Sequence, residues 1–100
     1  MADPADLFAR FKLFVHGDTP RARGAENTLR TLCAQTYGDA FEIEVVDVAL
    51  RPDEAEAHRI IVTPAILRVS PPPPRRTVGE PRDLAAVAAA LDMARDVVRH

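Results

Sequence analysis

Two strand-like runs separated by one helix-patterned stretch constrain this chain more than any other feature. Phe11-Lys12-Leu13-Phe14-Val15 is rich in aromatic and branched residues and is stopped by His16-Gly17-Asp18, which is strand chemistry. Phe41-Glu42-Ile43-Glu44-Val45 alternates strictly and is extended by Val46-Asp47-Val48, so it is expected to have one buried face and one wet face. Between the two runs, Ala25, Leu29, Leu32, Cys33 and Thr36 recur at steps of three and four, forming one face of a helix. Asp18, Thr19 and Pro20 supply its start and Gly38-Asp39 its stop. A strand-helix-strand unit needs a right-handed crossover, which makes its two strands parallel neighbours in one sheet.

The second half continues the alternation. Pro52-Asp53-Glu54 starts a short helix whose acidic first turn and cationic end at His58-Arg59 both suit the helix dipole. Ile60-Ile61-Val62 is apolar, Thr63-Pro64 interrupts it, and Ala65-Ile66-Leu67-Arg68-Val69 reads as a third strand. Pro71 to Pro74 are expected to form a stiff extended connector, followed by a short edge strand at Arg76-Thr77-Val78 that Gly79 closes. Asp83 then caps Leu84 to Val98, with Leu84, Val87, Leu91, Ala94 and Val98 on one face. Six alanines with no glycine or proline between Leu84 and Arg95 favour helix there. The expected order is β-α-β-α-β-β-α without internal repeat.

One hundred residues make one domain, with residues 1–9 expected to be a flexible N-terminus. Thirteen basic against fifteen acidic residues give a net charge of −2, which argues against a nucleic-acid-binding domain. No apolar stretch approaches the roughly 18 residues that a membrane span needs. Asp3 and Asp6 stand where a signal peptide would carry positive charge, so the expected compartment is the cytoplasm. Cys33, the one cysteine, excludes an internal disulfide and reads as a small core residue. His16, His58 and His100 share no ligand spacing, and neither a Ser-His-Asp order nor a glycine-rich phosphate loop occurs. No catalytic residue, cofactor or metal is therefore expected.

The element order gives a four-stranded mixed sheet with helices on both faces, an arrangement that resembles thioredoxin. Thr63-Pro64 stands just before the third strand, where that fold places a cis-proline. The thioredoxin dithiol lies at the start of the first helix, but here that stretch, His16 to Arg23, holds no cysteine. Dithiol exchange cannot occur there.

More specifically, the sequence resembles the KaiB family of circadian-clock proteins. The resemblance rests on Lys12-Leu13-Phe14-Val15 with Gly17-Asp18-Thr19-Pro20, and on Glu44-Val45-Val46-Asp47-Val48. It continues through Pro52, Ala55-Glu56, Ile60-Ile61-Val62-Thr63-Pro64, Pro72-Pro73-Pro74-Arg75-Arg76 and Gly79 to Leu91-Asp92. It implies a non-enzymatic module that binds a hexameric KaiC-like ATPase, with a sensor histidine kinase or a KaiA-like protein as further partners and homo-oligomers as an option. The alternative it implies is an adaptor or sensory domain in histidine-kinase-type signalling. The family switches between a tetramer-forming ground state, βαββααβ, and a thioredoxin-like binding state. Carried onto this chain, the contact surface is the first helix and second strand, with Arg21, Arg23, Glu42, Glu44 and Arg59 as candidate partner-binding residues. Thr63, Pro64, Gly79 and Ala90 take structural roles.

Three departures matter. Glu44 stands where clock members commonly carry a basic residue, the acidic C-terminal tail of many members is not seen before His100, and Ala90 replaces a frequent glycine. Alanine favours helix over glycine by about 1 kcal/mol. Ala88-Ala89-Ala90 are thus expected to tilt this chain toward the thioredoxin-like state.

Overall fold

Leu13, Phe14 and Val15 form an unbroken buried run because the strand that carries them has both faces covered. In the computed structural model, which describes residues 8–93, that strand is β1 (Ala9–Val15). It is followed by α1 (Pro20–Tyr37), β2 (Phe41–Asp47), α2 (Pro52–Ala57), β3 (Ala65–Ser70), β4 (Arg75–Val78) and α3 (Leu84–Ala90). The sheet order is β2-β1-β3-β4. β1 and β2 are parallel, while β3 runs antiparallel to both β1 and β4. This is the thioredoxin-like β-α-β-α-β-β-α arrangement.

The two faces have separate cores. Ala9, Phe11, Leu13 and Val15 of β1 pack with Ala25, Leu29, Leu32 and Cys33 of α1 and Val87 of α3. On the other face, under α2, Phe14 meets Val46, Ala65 and Leu67, with Val48 and Ile60 against them. β1 begins at Ala9, which is fully buried, two residues before the apolar run that marks it in the sequence. Residues 1–7 lie outside the described residues.

β2 departs from a simple wet-face strand. Phe41 and Ile43 are half-buried on the α1 side, but Val45 on that side is exposed and Val46 on the other is fully buried. An edge strand under two partial covers buries residues of both parities.

The proline run does not form the expected stiff extended connector. Arg68 pairs with Arg75 across the β3–β4 hairpin, so the chain must reverse between them. An extended polyproline segment advances about 3.1 Å per residue and cannot close that loop. The segment is instead a tight turn, with cis peptides at Ser70-Pro71 and Pro72-Pro73.

The last helix is also shorter than its alanine run suggests. Asp83 caps it, its side chain accepting from the Ala85 and Ala86 amides at 2.9 and 3.4 Å. It ends at Ala90, with Leu91 as its C-cap and Asp92 left-handed at φ 58°. The Arg68 guanidinium binds the Leu91 and Asp92 carbonyls, both at 2.9 Å, which a continuing helix would need for itself. Val87 and Leu91 are buried as the helical face requires, Leu84 is exposed, and Ala94 and Val98 lie outside the described residues.

Candidate partner-binding surface

Strand direction decides what gathers at one end of the sheet. β1 and β2 both end where β3 begins, since Val15 pairs with Asp47 and Phe14 with Ala65. The β1–α1 turn, the β2–α2 loop and the segment before β3 therefore share that end. It is the position of the thioredoxin dithiol.

Local chemistry builds the first turn. Gly17 has φ 76°, a left-handed conformation that costs a residue with a Cβ about 1 kcal/mol or more. Its amide donates to Asp47 Oδ1 at 3.2 Å, and the Ala49 amide donates to the same oxygen at 2.9 Å, so one carboxylate orders both loops. Thr19 is the N-cap, its hydroxyl accepting from the Ala22 amide at 3.1 Å, with Pro20 in the first turn. The Thr63-Pro64 peptide opposite is cis. Val15, His16, Thr19, Arg21, Ala22, Thr63 and Pro64 line a shallow cleft there of about 230 Å³. Small-molecule sites usually run from about 300 Å³ upward.

No thiol reaches this end. Cys33, the chain's one cysteine, is fully buried in α1 against the β1 core, and burial pushes its thiol up to about 12. Among the described residues no group of His, Cys, Asp and Glu gathers in a form that could hold a metal.

The same end exposes apolar surface that the sequence pattern did not flag. Ile61 is 92% exposed, Leu50 79% and Val62 50%. They sit in the two loops beside α1, where Ile60 alone of the Ile60-Ile61-Val62 run packs inward. A period-based reading assigns such a run to the core, and only the loop geometry turns two of its members outward.

The five candidate charges do not form one cluster. Arg21 and Arg23 stand at the start of α1, but each already has a partner. Arg21 Nε lies 2.8 Å from Glu80 Oε1, and Arg23 Nη1 2.7 Å from Asp18 Oδ1. Arg82 and Arg21 together hold the Glu80 carboxyl below its ordinary value. Glu42 and Glu44 lie on the α2 side of the β2 edge, opposite Arg10 and Lys12 in register. Arg10 pairs with Glu42 at 2.5 Å, while Glu44 takes Arg51 at 2.8 Å and Lys12 at 3.8 Å. The acidic stripe is therefore largely neutralised within the molecule. Arg59 lies elsewhere, left-handed at φ 55° after α2, its carbonyl 3.5 Å from Arg76 Nη1 of β4.

Lys12, the chain's one lysine, is the residue that pattern reading overlooked. Its ammonium bonds Glu54 of α2, and the side chains retain only 23% and 19% exposure. That bond, with Arg51 and His58 nearby, holds the Glu54 carboxyl below its ordinary value. His58 Nε2 lies 3.7 Å from Glu54, and its ring lies 5.7 Å from that of Phe14. These contacts pin α2 to the sheet and so fix the loops on either side of it. The visible signal was a single lysine between two core-facing residues of a strand.

Fold and site together define a thioredoxin-like domain that exposes apolar and charged side chains at the end where thioredoxin carries its dithiol. The KaiB domain family model matches residues 12–93. The chain is 37% identical over 82 residues to the circadian clock oscillator protein KaiB of Prochlorococcus marinus strain MIT 9312, covering 82% of this chain and 78% of that one. To the KaiB of Gloeothece citriformis strain PCC 7424 it is 35% identical over 88 residues, covering 88% and 83%. The chain belongs to the KaiB family. Its fold is shared with the N-terminal domain of Synechococcus elongatus SasA, at TM-score 0.68 and 20% identity over 86% of this chain and 78% of that one. The germline-specific thioredoxin Deadhead of Drosophila melanogaster gives TM-score 0.67 and 17% identity over 91% and 83%.

Proposed function

We propose that this chain is a non-enzymatic, cytoplasmic protein-binding module of a KaiC-type clock or timer. It docks on a hexameric KaiC-like ATPase and responds to that ring's nucleotide or phosphorylation state. The observation that carries the reading is the exposure of Leu50, Ile61 and Val62 at the end of the sheet where α1 starts, an end that Cys33, buried in the core, does not reach. Large apolar side chains with polar neighbours are what a protein interface core requires. Membership of a family whose curated relatives are clock oscillator proteins supplies the kind of partner.

Arg21 and Arg23 flank this surface at the start of α1, and Glu42 and Glu44 extend it along the β2 edge. Their intramolecular partners keep them ordered before contact, so they steer encounter and select partners more than they add affinity. On this reading Ala88-Ala89-Ala90 favour the thioredoxin-like state in the free chain, so that little of the ring's affinity is lost to rearrangement on binding.

A second reading, an adaptor or sensory domain in histidine-kinase-type signalling, is favoured by the fold shared with the SasA N-terminal domain. A tagged pull-down from host lysate, with ATP and with ADP, separates the two. Recovery of a KaiC-like ATPase, stronger in one nucleotide state, supports the ring-binding reading. Recovery of a kinase without such an ATPase supports the second and overturns the first.

A further inference from the structure

The two edges of the sheet differ in how their charges are met. At the β2 edge Glu42 and Glu44 each have a cation. At the β4 edge the cations have no carboxylate among the described residues. Apart from the buried Arg68, every other described lysine and arginine lies within 4.0 Å of an acidic side chain, but Arg59, Arg75 and Arg76 do not. Arg75 Nη1 reaches only the carbonyl of its neighbour Pro74, at 3.3 Å, and Arg76 Nη1 the carbonyl of Arg59, at 3.5 Å. Three uncompensated positive charges thus converge on one edge of a chain whose net charge is −2.

The backbone at that edge is open as well. β4 ends the sheet order. The Gly79 amide donates to the Pro64 carbonyl at 2.8 Å, which sets the phase of the β3–β4 ladder. Counting back in twos, Ile66–Thr77 and Arg68–Arg75 are the hydrogen-bonded pairs. The main-chain N–H and C=O groups of Arg76 and Val78 therefore point away from the sheet. Their side chains project to the α2 side, where Arg59 lies, and Val78 is 58% exposed.

We propose that the β4 edge accepts an extended acidic segment of a partner protein as a fifth strand. Main-chain bonds from Arg76 and Val78 fix its register, and carboxylates at alternate positions on the α2 side meet Arg76 and Arg59. The residues between the acids face the opposite side, where Arg75 stands. The edge lies across the sheet from β2. The competing account is that the arginines only blunt an exposed edge against aggregation. That account predicts no peptide binding.

The test is fluorescence anisotropy with a labelled peptide of about ten residues alternating glutamate and valine, beside the same peptide with glutamine for glutamate. The expected result is saturable, salt-sensitive binding of the acidic peptide, weaker by about tenfold or more for the glutamine peptide and for the Arg59→Gln/Arg76→Gln variant. Val78→Pro removes an outward N–H without touching the β3 ladder and is expected to weaken binding while the free protein's melting temperature stays within a few degrees of wild type. Equal binding of both peptides, or no saturable binding to wild-type protein, overturns the proposal. So does concentration-dependent self-association through this edge that the arginine variant abolishes, since the occupant is then a second copy.

Discussion

Arg68 Nη1 donates to the Leu91 carbonyl oxygen at 2.9 Å, tying the middle of β3 to the end of α3. The same nitrogen stands 2.9 Å from the Asp92 carbonyl, and the side chain is only 3% exposed. A guanidinium is thus the C-cap of the last helix, delivered by a neighbouring strand. Hydrogen bonds from a charged donor contribute about 1.5–3 kcal/mol each, and a buried carbonyl left without its donor costs a similar amount. Arg68→Met keeps the length of the side chain and removes the donors. It is expected to lower the unfolding free energy by about 3 kcal/mol in urea titration and to speed amide exchange across α3. A loss under about 0.5 kcal/mol would show that the contact does not hold the helix.

Glu54 makes the docking of α2 dependent on acid. Its carboxyl is held below the ordinary value in the fold, chiefly by the Lys12 bond, so the unfolded chain takes up the proton more readily. Its contribution is whole above about pH 4.3, the ordinary glutamate value, and is lost as pH falls through the lower folded value. Glu54→Gln is expected to lower the melting temperature at pH 7 and to bring it toward wild type at the acid end of a pH series. A constant offset across the whole series would remove Glu54 titration from the account.

Cys33 is expected to be silent toward thiol reagents. With the thiol raised to about 12, the thiolate fraction at pH 8 is roughly one part in ten thousand, and the side chain is fully buried. Labelling with a chromogenic disulfide reagent should follow global unfolding and appear only as denaturant opens the core. Rapid labelling of the native protein would mean that the α1 face opens locally.

Gly17 isolates a purely conformational effect. Nothing lies within 4 Å of a Cβ added there, so Gly17→Ala meets no clash and keeps the amide bond to Asp47. Holding alanine at φ 76° is expected to cost about 1–2 kcal/mol of stability. A neutral result in urea titration would show that the turn relaxes out of the left-handed region.

The elements were legible in the sequence because their signals are local. The cap Thr19-Pro20, the alternating face of β2 and the aligned Ala25, Leu29, Leu32 and Cys33 each declare themselves within a few residues. The parts that escaped depend on partners distant along the chain. Arg68 reads as a lapse in an apolar strand until the helix end 23 residues later arrives over it. Pro71–Pro74 reads as stiff until the hairpin register forces it to turn. The same holds for the surface. Glu42 and Glu44 look like a free acidic stripe in the sequence, yet parallel register with Arg10 and Lys12 neutralises them. Ile61 and Val62 continue an apolar run from Ile60, yet Ile61 stands in solvent and Val62 is half exposed.

The central claim, docking on a KaiC-like ATPase through the α1 end of the sheet, is tested most directly by titration calorimetry. The purified KaiC-like hexamer of the same host would be titrated with this chain in its ATP-bound and ADP-bound states. The account predicts saturable binding that favours one nucleotide state. It further predicts that Ile61→Asp, a change in a fully solvated side chain, weakens binding by about tenfold or more while leaving the free protein's melting temperature unchanged. No binding in either nucleotide state by the folded wild-type protein, or full binding by Ile61→Asp, contradicts it.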